Sequence, residues 1–145
     1  MLFEQLKEAH NVIDNFLQYL EGKSFQTGES LEKEAVIVAQ KVLYNMGLDF
    51  IPRAYVAFLK HYNGIKVNGC YLFGATVDDD LDIIDQNEKL PRPKDTILLG
   101  CNEFDYLGYN YVMKKYQIID REDFEVLESY EEDGLDSALN EIFNA

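Results

Sequence analysis

Apolar residues in the first half of the chain recur at steps of three and four, the spacing of one helical face. The first stripe predicts a long amphipathic helix and consists of Leu2, Leu6, Ala9, Ile13, Phe16 and Leu20. The polar stretch "GKSFQTGES" that follows predicts a loop. A second stripe predicts a helix that ends at Gly47, and it consists of Leu31, Ala35, Val38 and Val42.

A third apolar stripe follows Pro52, a residue that the first turn of a helix tolerates. Because glycine adopts the left-handed conformation without steric cost, we expect Gly64 of the pair Asn63-Gly64 to close this helix. Ile65 is then expected to fold back onto the last turn. The stripe consists of Tyr55, Phe58, Leu59 and Tyr62.

The pattern changes beyond Ile65, where short β-prone runs alternate with turn residues. Asn68-Gly69 lies between two such runs in "IKVNGCYLFG" and predicts a tight hairpin, because both residues accept positive φ. "DLDIIDQNEKL" is compatible with a short helix that the prolines of "LPRPKD" end. Further strands are predicted at "TILLGCN", "YNYVMKK", "YQIID" and "FEVLESY".

The last predicted element is a helix at "LDSALNEIF", with Leu135, Leu139 and either Ile142 or Phe143 facing inward. Helices, then strands, then a helix favour an α+β fold with a mainly antiparallel (mixed) sheet flanked by helices. A chain of 145 residues, 47% of them hydrophobic, is long enough for one such domain. We therefore expect residues 1–145 to form a single domain, with 1–47 an N-terminal helical part of it.

The opening twenty residues carry charged side chains among their apolar positions. This mixture is neither a secretory signal nor a membrane span, so we expect a cytoplasmic protein without a membrane partner. The chain has two cysteines, Cys70 and Cys101, which are too far apart for a CxxC motif and too few for a disulfide framework. Reduced thiols are expected, and no metal or cofactor.

Charge is the most unusual property of the composition, because 27 acidic and 13 basic residues give a formal net charge of -14. Such a chain is repelled by nucleic acid, so no nucleic-acid partner is expected. Acidity alone also serves solubility. Here, however, the acids cluster in "TVDDDLDIIDQNE" and "IDREDFEVLESYEEDGLD".

Catalytic and metal-binding patterns are weak in this sequence. Neither GxxxxGK[ST] nor GxGxxG occurs. His61 and Cys70 could form a nucleophile pair, although a His near a helix end and a Cys packed in a strand is the favoured interpretation. "DDDLD" could hold a hard cation, but its spacing does not match an EF-hand loop, and a solvated acidic face or a helix start is the simpler interpretation.

Tyrosine is the preferred aromatic residue, with ten Tyr and no Trp in the chain. "FDYLGYNYVMKKY" places four tyrosines beside Glu103 and Asp105. Because a tyrosine combines a large contact area with a polar tip, such a cluster suits a protein interface. The alternative is that residues such as Tyr109 and Tyr111 pack one face of a sheet.

The order of several motifs resembles one known family. Pro52, "RAYVAFLKHY", Asn63-Gly64, a hairpin ending in "YLFG" at Gly74, "LGCNEFDYLGYNYV" and "QIIDREDFEVLESYEE" follow one another. This order is similar to the SUKH superfamily, which includes the Smi/Knr-type fungal cell-wall synthesis regulators and many bacterial immunity proteins. The resemblance runs from about Leu48 to the C-terminus, and Pro52, Asn63, Gly64 and Gly74 are its most specific positions.

The resemblance implies an α+β fold without enzymatic activity and, for bacterial members, the neutralisation of a cognate toxin. With the acidity, it leads to the hypothesis of a protein-binding module whose partner is a basic toxin domain. The residues predicted to attract the partner are Asp78, Asp79, Asp80, Asp82, Glu103 and Asp105. Those predicted to supply contact area are Tyr71, Phe73, Tyr106 and Tyr109. The alternatives are a regulatory scaffold like the fungal relatives and a small hydrolase that uses His61 or the acidic cluster.

Overall fold

A computed structural model describes residues 26–27, 33–49, 51–75, 81–89 and 92–144. The long helix predicted over residues 2–20 therefore lies outside the described residues. The described segments contain four helices: α1 (Lys33–Asn45), α2 (Arg53–Leu59), α3 (Ile83–Lys89) and α4 (Leu135–Asn144). They also contain seven strands: β1 (Gln26–Thr27), β2 (Ile65–Val67), β3 (Cys70–Leu72), β4 (Thr96–Cys101), β5 (Asp105–Asn110), β6 (Lys115–Asp120) and β7 (Val126–Tyr130).

The seven described strands form one sheet in the order of the sequence, and every neighbouring pair is antiparallel. Short connections join most of the strands, as antiparallel pairing allows. Helices accompany this sheet, so the predicted α+β fold with a mainly antiparallel sheet is confirmed. One difference concerns the stretch predicted as a loop after the first helix, because Gln26–Thr27 within it pairs with β2.

The predicted tight hairpin is confirmed at β2 and β3. Val67 pairs with Cys70, and the two residues between them have positive φ, 50° at Asn68 and 78° at Gly69. This is the conformation of a two-residue turn whose twist matches the flanking strands.

The strand predicted over "YNYVMKK" is wrong, because the chain turns within it. β5 ends at Asn110, whose side-chain Oδ1 accepts hydrogen bonds from the backbone N–H of Val112 at 3.1 Å and of Met113 at 2.9 Å. An asparagine that bonds its own backbone two and three residues on favours a turn over a strand. Val112 and Met113 are exposed in that turn.

Helix α1 buries only part of the predicted stripe: Ala35 packs partly buried against the core, and Leu31 lies outside the described residues. Ala39 and Leu43 are buried, whereas Val38 is 58% exposed, so the placement of Val38 on the inner face is wrong. The end of the helix was placed correctly, because Gly47 has a φ of 88° and the N–H of Leu48 bonds back to the carbonyl of Leu43. This is the Schellman arrangement, with a left-handed glycine, that commonly ends a helix.

Helix α2 buries the predicted face, but it ends earlier than Gly64. Tyr55, Phe58 and Leu59 are buried, as is Tyr62 beyond the helix. Gly64 has the expected left-handed φ of 79°, yet α2 ends at Leu59, five positions before it. The left-handed conformation of Gly64 was therefore predicted correctly. Its role as the end of the helix was wrong, because Gly64 instead directly precedes β2.

Helix α4 packs its apolar face on the sheet, with the predicted Leu135, Leu139, Ile142 and Phe143 all buried. The backbone carbonyl of Ile142 also accepts hydrogen bonds from Asn102 Nδ2 at 2.9 Å and from the Cys70 thiol at 3.8 Å. Two neighbouring strand ends are thereby tied to the last turn of α4. None of the helices in the described part of the chain is long and apolar enough to cross a membrane.

Candidate functional site

Three of the positions that carry the resemblance described above lie next to one another in the structure. The Asn63 side chain is buried and bonds both backbone groups of Ala75, donating to its carbonyl at 2.8 Å and accepting from its N–H at 2.9 Å. A Cβ added to Gly74 would lie 2.5 Å from Asn63 Oδ1 and 2.5 Å from the backbone nitrogen of Gly64. Asn63, Gly64 and Gly74 therefore form one close-packed junction. Pro52 lies apart from these contacts as the N-cap residue of α2.

The same junction joins the described residues on either side of residues 76–80. Gly74 donates from its N–H to the carbonyl of Leu81 at 2.8 Å and accepts from the N–H of Ile83 at 2.8 Å. Asp78, Asp79 and Asp80 lie outside the described residues, between these two fixed points. The strand that precedes them and the helix that follows them are thus clamped together through Gly74.

Asp82, the fourth acid of this region that was predicted to attract a partner, caps the start of helix α3. Its Oδ1 accepts hydrogen bonds from the backbone N–H of Ile84 at 2.9 Å and of Asp85 at 3.2 Å. This is the N-cap arrangement, which satisfies amides that lack a helical partner. The simpler interpretation of "DDDLD", a helix start, therefore describes Asp82.

Three of the four aromatic residues predicted for partner contact are buried within the chain itself. Phe73, Tyr106 and Tyr109 each expose no more than a few per cent of their surface. The interpretation that they supply free contact area does not fit this burial. Tyr109, for example, packs instead against Tyr116, its partner on the neighbouring strand β6, and the two ring centroids are 5.0 Å apart.

Two of these buried rings are still in contact with charged side chains. The Tyr109 hydroxyl lies 3.5 Å from a Glu132 carboxylate oxygen, and burial together with that carboxylate raises the pKa of Tyr109 to about 12. The Tyr106 ring stacks on Phe124, and the Arg121 guanidinium lies 5.1 Å from its centroid. Arg121 is therefore engaged at a ring face and is not a free surface cation.

Tyr71, Glu103 and Asp105 are more accessible than the three buried rings. Tyr71 is half-buried, and the Lys66 ammonium lies 5.3 Å from its ring centroid. Glu103 is exposed. Asp105 is half-buried, and its pKa is raised first by burial and then by the neighbouring Asp120 carboxylate. Tyr71 lies in β3, Glu103 in the turn after β4 and Asp105 at the start of β5, whereas Asp82 precedes α3.

A surface that the sequence analysis did not nominate surrounds the outer strand β7. Residues 121–133 read "REDFEVLESYEED", and all seven acids among them are exposed. We call this surface the acidic edge and define it by β7 and by Glu122, Asp123, Glu125, Glu128, Glu131, Glu132 and Asp133. Its sequence signal was visible as the second cluster of acids.

Apolar side chains are exposed on and beside the acidic edge. Within β7, Val126 is 42% and Leu127 is 50% exposed. Phe104, in the turn before β5, is 68% exposed, and its carbonyl accepts a hydrogen bond from the N–H of Arg121, where the edge begins. Charge and apolar contact area thus lie side by side on this surface.

No protein-family model matches the sequence, and a search of curated proteins finds no significant match.

The alternative of a Cys-His nucleophile gains no support from the environment of Cys70. Its thiol is buried, and burial raises its pKa, which lowers the thiolate fraction that a nucleophile needs. His61 is exposed after the end of α2. Among the described residues, no group of three His, Cys, Asp or Glu side chains is placed to hold a metal ion.

Both thiols should react far more slowly in the folded protein than in the unfolded chain. Burial raises the pKa of Cys101 from its usual 9.0 to about 11, with Arg121 lowering it and Cys70 raising it, which reduces the thiolate fraction at neutral pH about a hundredfold. Without reductant, a thiol reagent should find two thiols in urea and label them slowly in buffer. Fast labelling in buffer, or fewer than two thiols in urea, would contradict this expectation.

Proposed function

We propose that the chain is a non-enzymatic protein-binding module, an immunity-type protein that binds and neutralises a basic toxin domain in the cytoplasm. The observation that carries the proposal is the acidic edge, where seven exposed acids adjoin the exposed apolar side chains of Val126, Leu127 and Phe104. Such a surface attracts a cationic protein over a distance and offers apolar area on contact.

The resemblance to the SUKH superfamily supports the same proposal. Of its most specific positions, Gly74 lies ten residues beyond Gly64, yet Asn63, Gly64 and Gly74 form one junction in which a larger side chain at Gly74 would clash. A motif whose members contact one another has a physical reason to occur together. The family interpretation remains part of the proposal, as does the choice of a toxin as the partner.

Co-expression tests the neutralising function directly. A toxin domain encoded beside this gene in its source genome is expressed in a bacterial host and arrests growth. Co-expression of the full chain should restore growth, and the two proteins should co-purify. Continued arrest with both proteins present would overturn the proposal, whereas co-purification with a cell-wall synthesis enzyme from the source cells would favour the regulatory alternative.

Association with the basic partner should depend steeply on salt. The Debye length shrinks from about 10 Å at 0.1 M to about 3 Å at 1 M salt, so steering by exposed carboxylates weakens while short-range contacts persist. We expect the on-rate to fall at least about tenfold over this range, and the off-rate to change much less. Stopped-flow binding over a salt series measures both rates.

Two triple variants identify the acids that steer. Replacing Glu125, Glu128 and Glu131 by Gln removes three charges from the acidic edge, and replacing Asp78, Asp79 and Asp80 by Asn removes three from the segment first predicted. Each removes three negative charges, so a larger loss of on-rate in one variant locates the steering surface. An on-rate indifferent to salt and to both variants would leave the acidity as a solubility feature.

A further inference from the structure

Strand β7 forms one end of the sheet, and its side chains are largely exposed. It pairs with β6 on one side and has no partner among the described strands on the other. Every second backbone N–H and C=O of an edge strand points away from the sheet and can pair with another chain. The other end of the described sheet, β1, is only two residues long.

The hydrogen bonds at the start of β7 indicate which backbone groups point outward. The N–H of Asp120 donates to the carbonyl of Glu125 at 2.8 Å, so Asp120 faces β7, and by alternation Ile118 and Tyr116 do so as well. Their partners Glu128 and Tyr130 therefore point inward. Ser129, between these two, directs its N–H and C=O outward.

Charge argues against a second copy of the chain as the occupant of this edge. Residues 121–133 carry seven acids and one arginine, and the adjoining Lys115 lies 3.6 Å from Glu131. Two such edges brought together would oppose like charges across the new strand pair, which is unfavourable.

We propose that the outer edge of β7 binds an extended, basic segment of a protein partner as an added β-strand. Backbone hydrogen bonds would supply affinity, and Lys or Arg side chains of the segment would face the acids of the edge. Apolar residues at alternate positions would cover the exposed Val126 and Leu127. This inference rests on the proposed function for the existence of a basic partner and adds the binding surface and the form of the bound segment.

The probe for this edge is a capped peptide of about ten alternating lysine and valine residues. It is added to the full-length, isotope-labelled protein, and backbone amides are followed by nuclear magnetic resonance at low salt. We expect the largest shifts and new protection from hydrogen exchange at β7, including the amide of Ser129. A control peptide of equal charge carries N-methyl groups on alternate residues, which removes the hydrogen-bond donors of one strand edge.

A pair of variants at Ser129 removes the outward amide from the protein side. Ser129→Pro deletes the outward N–H without removing a bond to β6, a position at which edge strands tolerate proline. Ser129→Ala keeps the backbone amide but, like Ser129→Pro, removes the side-chain hydroxyl, which lies 3.5 Å from Gln117 Nε2. We expect Ser129→Pro to weaken peptide binding about tenfold, and Ser129→Ala by less than about twofold.

The outcomes separate edge binding from simple charge attraction. Loss of binding with the N-methylated peptide and with Ser129→Pro supports the proposal. Equal binding of both peptides, or shifts centred away from β7, overturns it, and so does a concentration-dependent dimer that protects the Ser129 amide without peptide. A toxin that is neutralised without engaging β7 overturns this inference alone, whereas peptide binding at β7 without neutralisation of the toxin overturns the proposed function alone.

Discussion

Gly74→Ala should destabilise the fold by about 3 kcal/mol, the upper end of the usual cost of overpacking. The added methyl carbon would lie 2.5 Å from both Asn63 Oδ1 and the backbone nitrogen of Gly64, closer than real Cβ contacts allow. Neither neighbour can withdraw freely, because Asn63 is bonded to both backbone groups of Ala75. Urea unfolding followed by circular dichroism measures the change in free energy.

Gly47→Ala is the matched control for the substitution at Gly74. Gly47 has a left-handed φ of 88° and no atom within 4 Å of an added Cβ, so this change should cost only the conformational penalty of about 1 kcal/mol. Equal losses in the two variants would contradict the close packing of the Gly74 junction. A loss at Gly74 well above the loss at Gly47 would support it.

The elements that the sequence predicted best are those set by local physics. Asn68-Gly69 accepts the two positive φ angles of a tight hairpin, and the apolar spacing of Leu135, Leu139 and Ile142 identifies the buried face of α4. No distant contact is needed for either prediction. The turn after Asn110 was missed because the strand-like side chains around it outweighed one asparagine, whose side chain then bonded its own backbone.

The candidate surface was harder to predict because residue type does not determine exposure. Tyr106 and Tyr109 are suited to an interface by chemistry, but the register of β5 with β6 places them in the core. The second acidic cluster was seen in the sequence, yet only the strand order shows that it lies along an outer strand. The nomination of Asp78, Asp79 and Asp80 stays a prediction, because they lie outside the described residues.

Buried asparagines join separate parts of the structure in a way that the sequence pattern does not reveal. Asn63 bonds Ala75, Asn87 bonds Leu98, and Asn102 bonds the carbonyl of Ile142. In each pair the amide satisfies backbone groups that have no strand partner at that point. Because buried backbone groups must be paired, these amides supply the partners that neighbouring strands do not.

Asn87→Ala should destabilise the fold by about 3 kcal/mol, because two buried backbone groups of β4 would lose their partner. Strand β3 ends at Leu72, and beyond it the Asn87 side chain takes the place of a neighbouring strand. It accepts from the N–H of Leu98 at 2.8 Å and donates to its carbonyl at 2.9 Å. This bond also fixes α3 to the sheet.

Asn110→Ala provides the control for the change at Asn87, because the two asparagines differ mainly in exposure. The Asn110 side chain also bonds two backbone groups, but both amides lie at an exposed turn where water can replace it. We expect a loss below about 1 kcal/mol there. Amide hydrogen exchange adds a local measurement, since Asn87→Ala should speed exchange at Leu98 more than at Tyr116 in β6. Similar losses of stability in both variants, or unchanged protection of Leu98, would show that Asn87 does not hold α3 to β4.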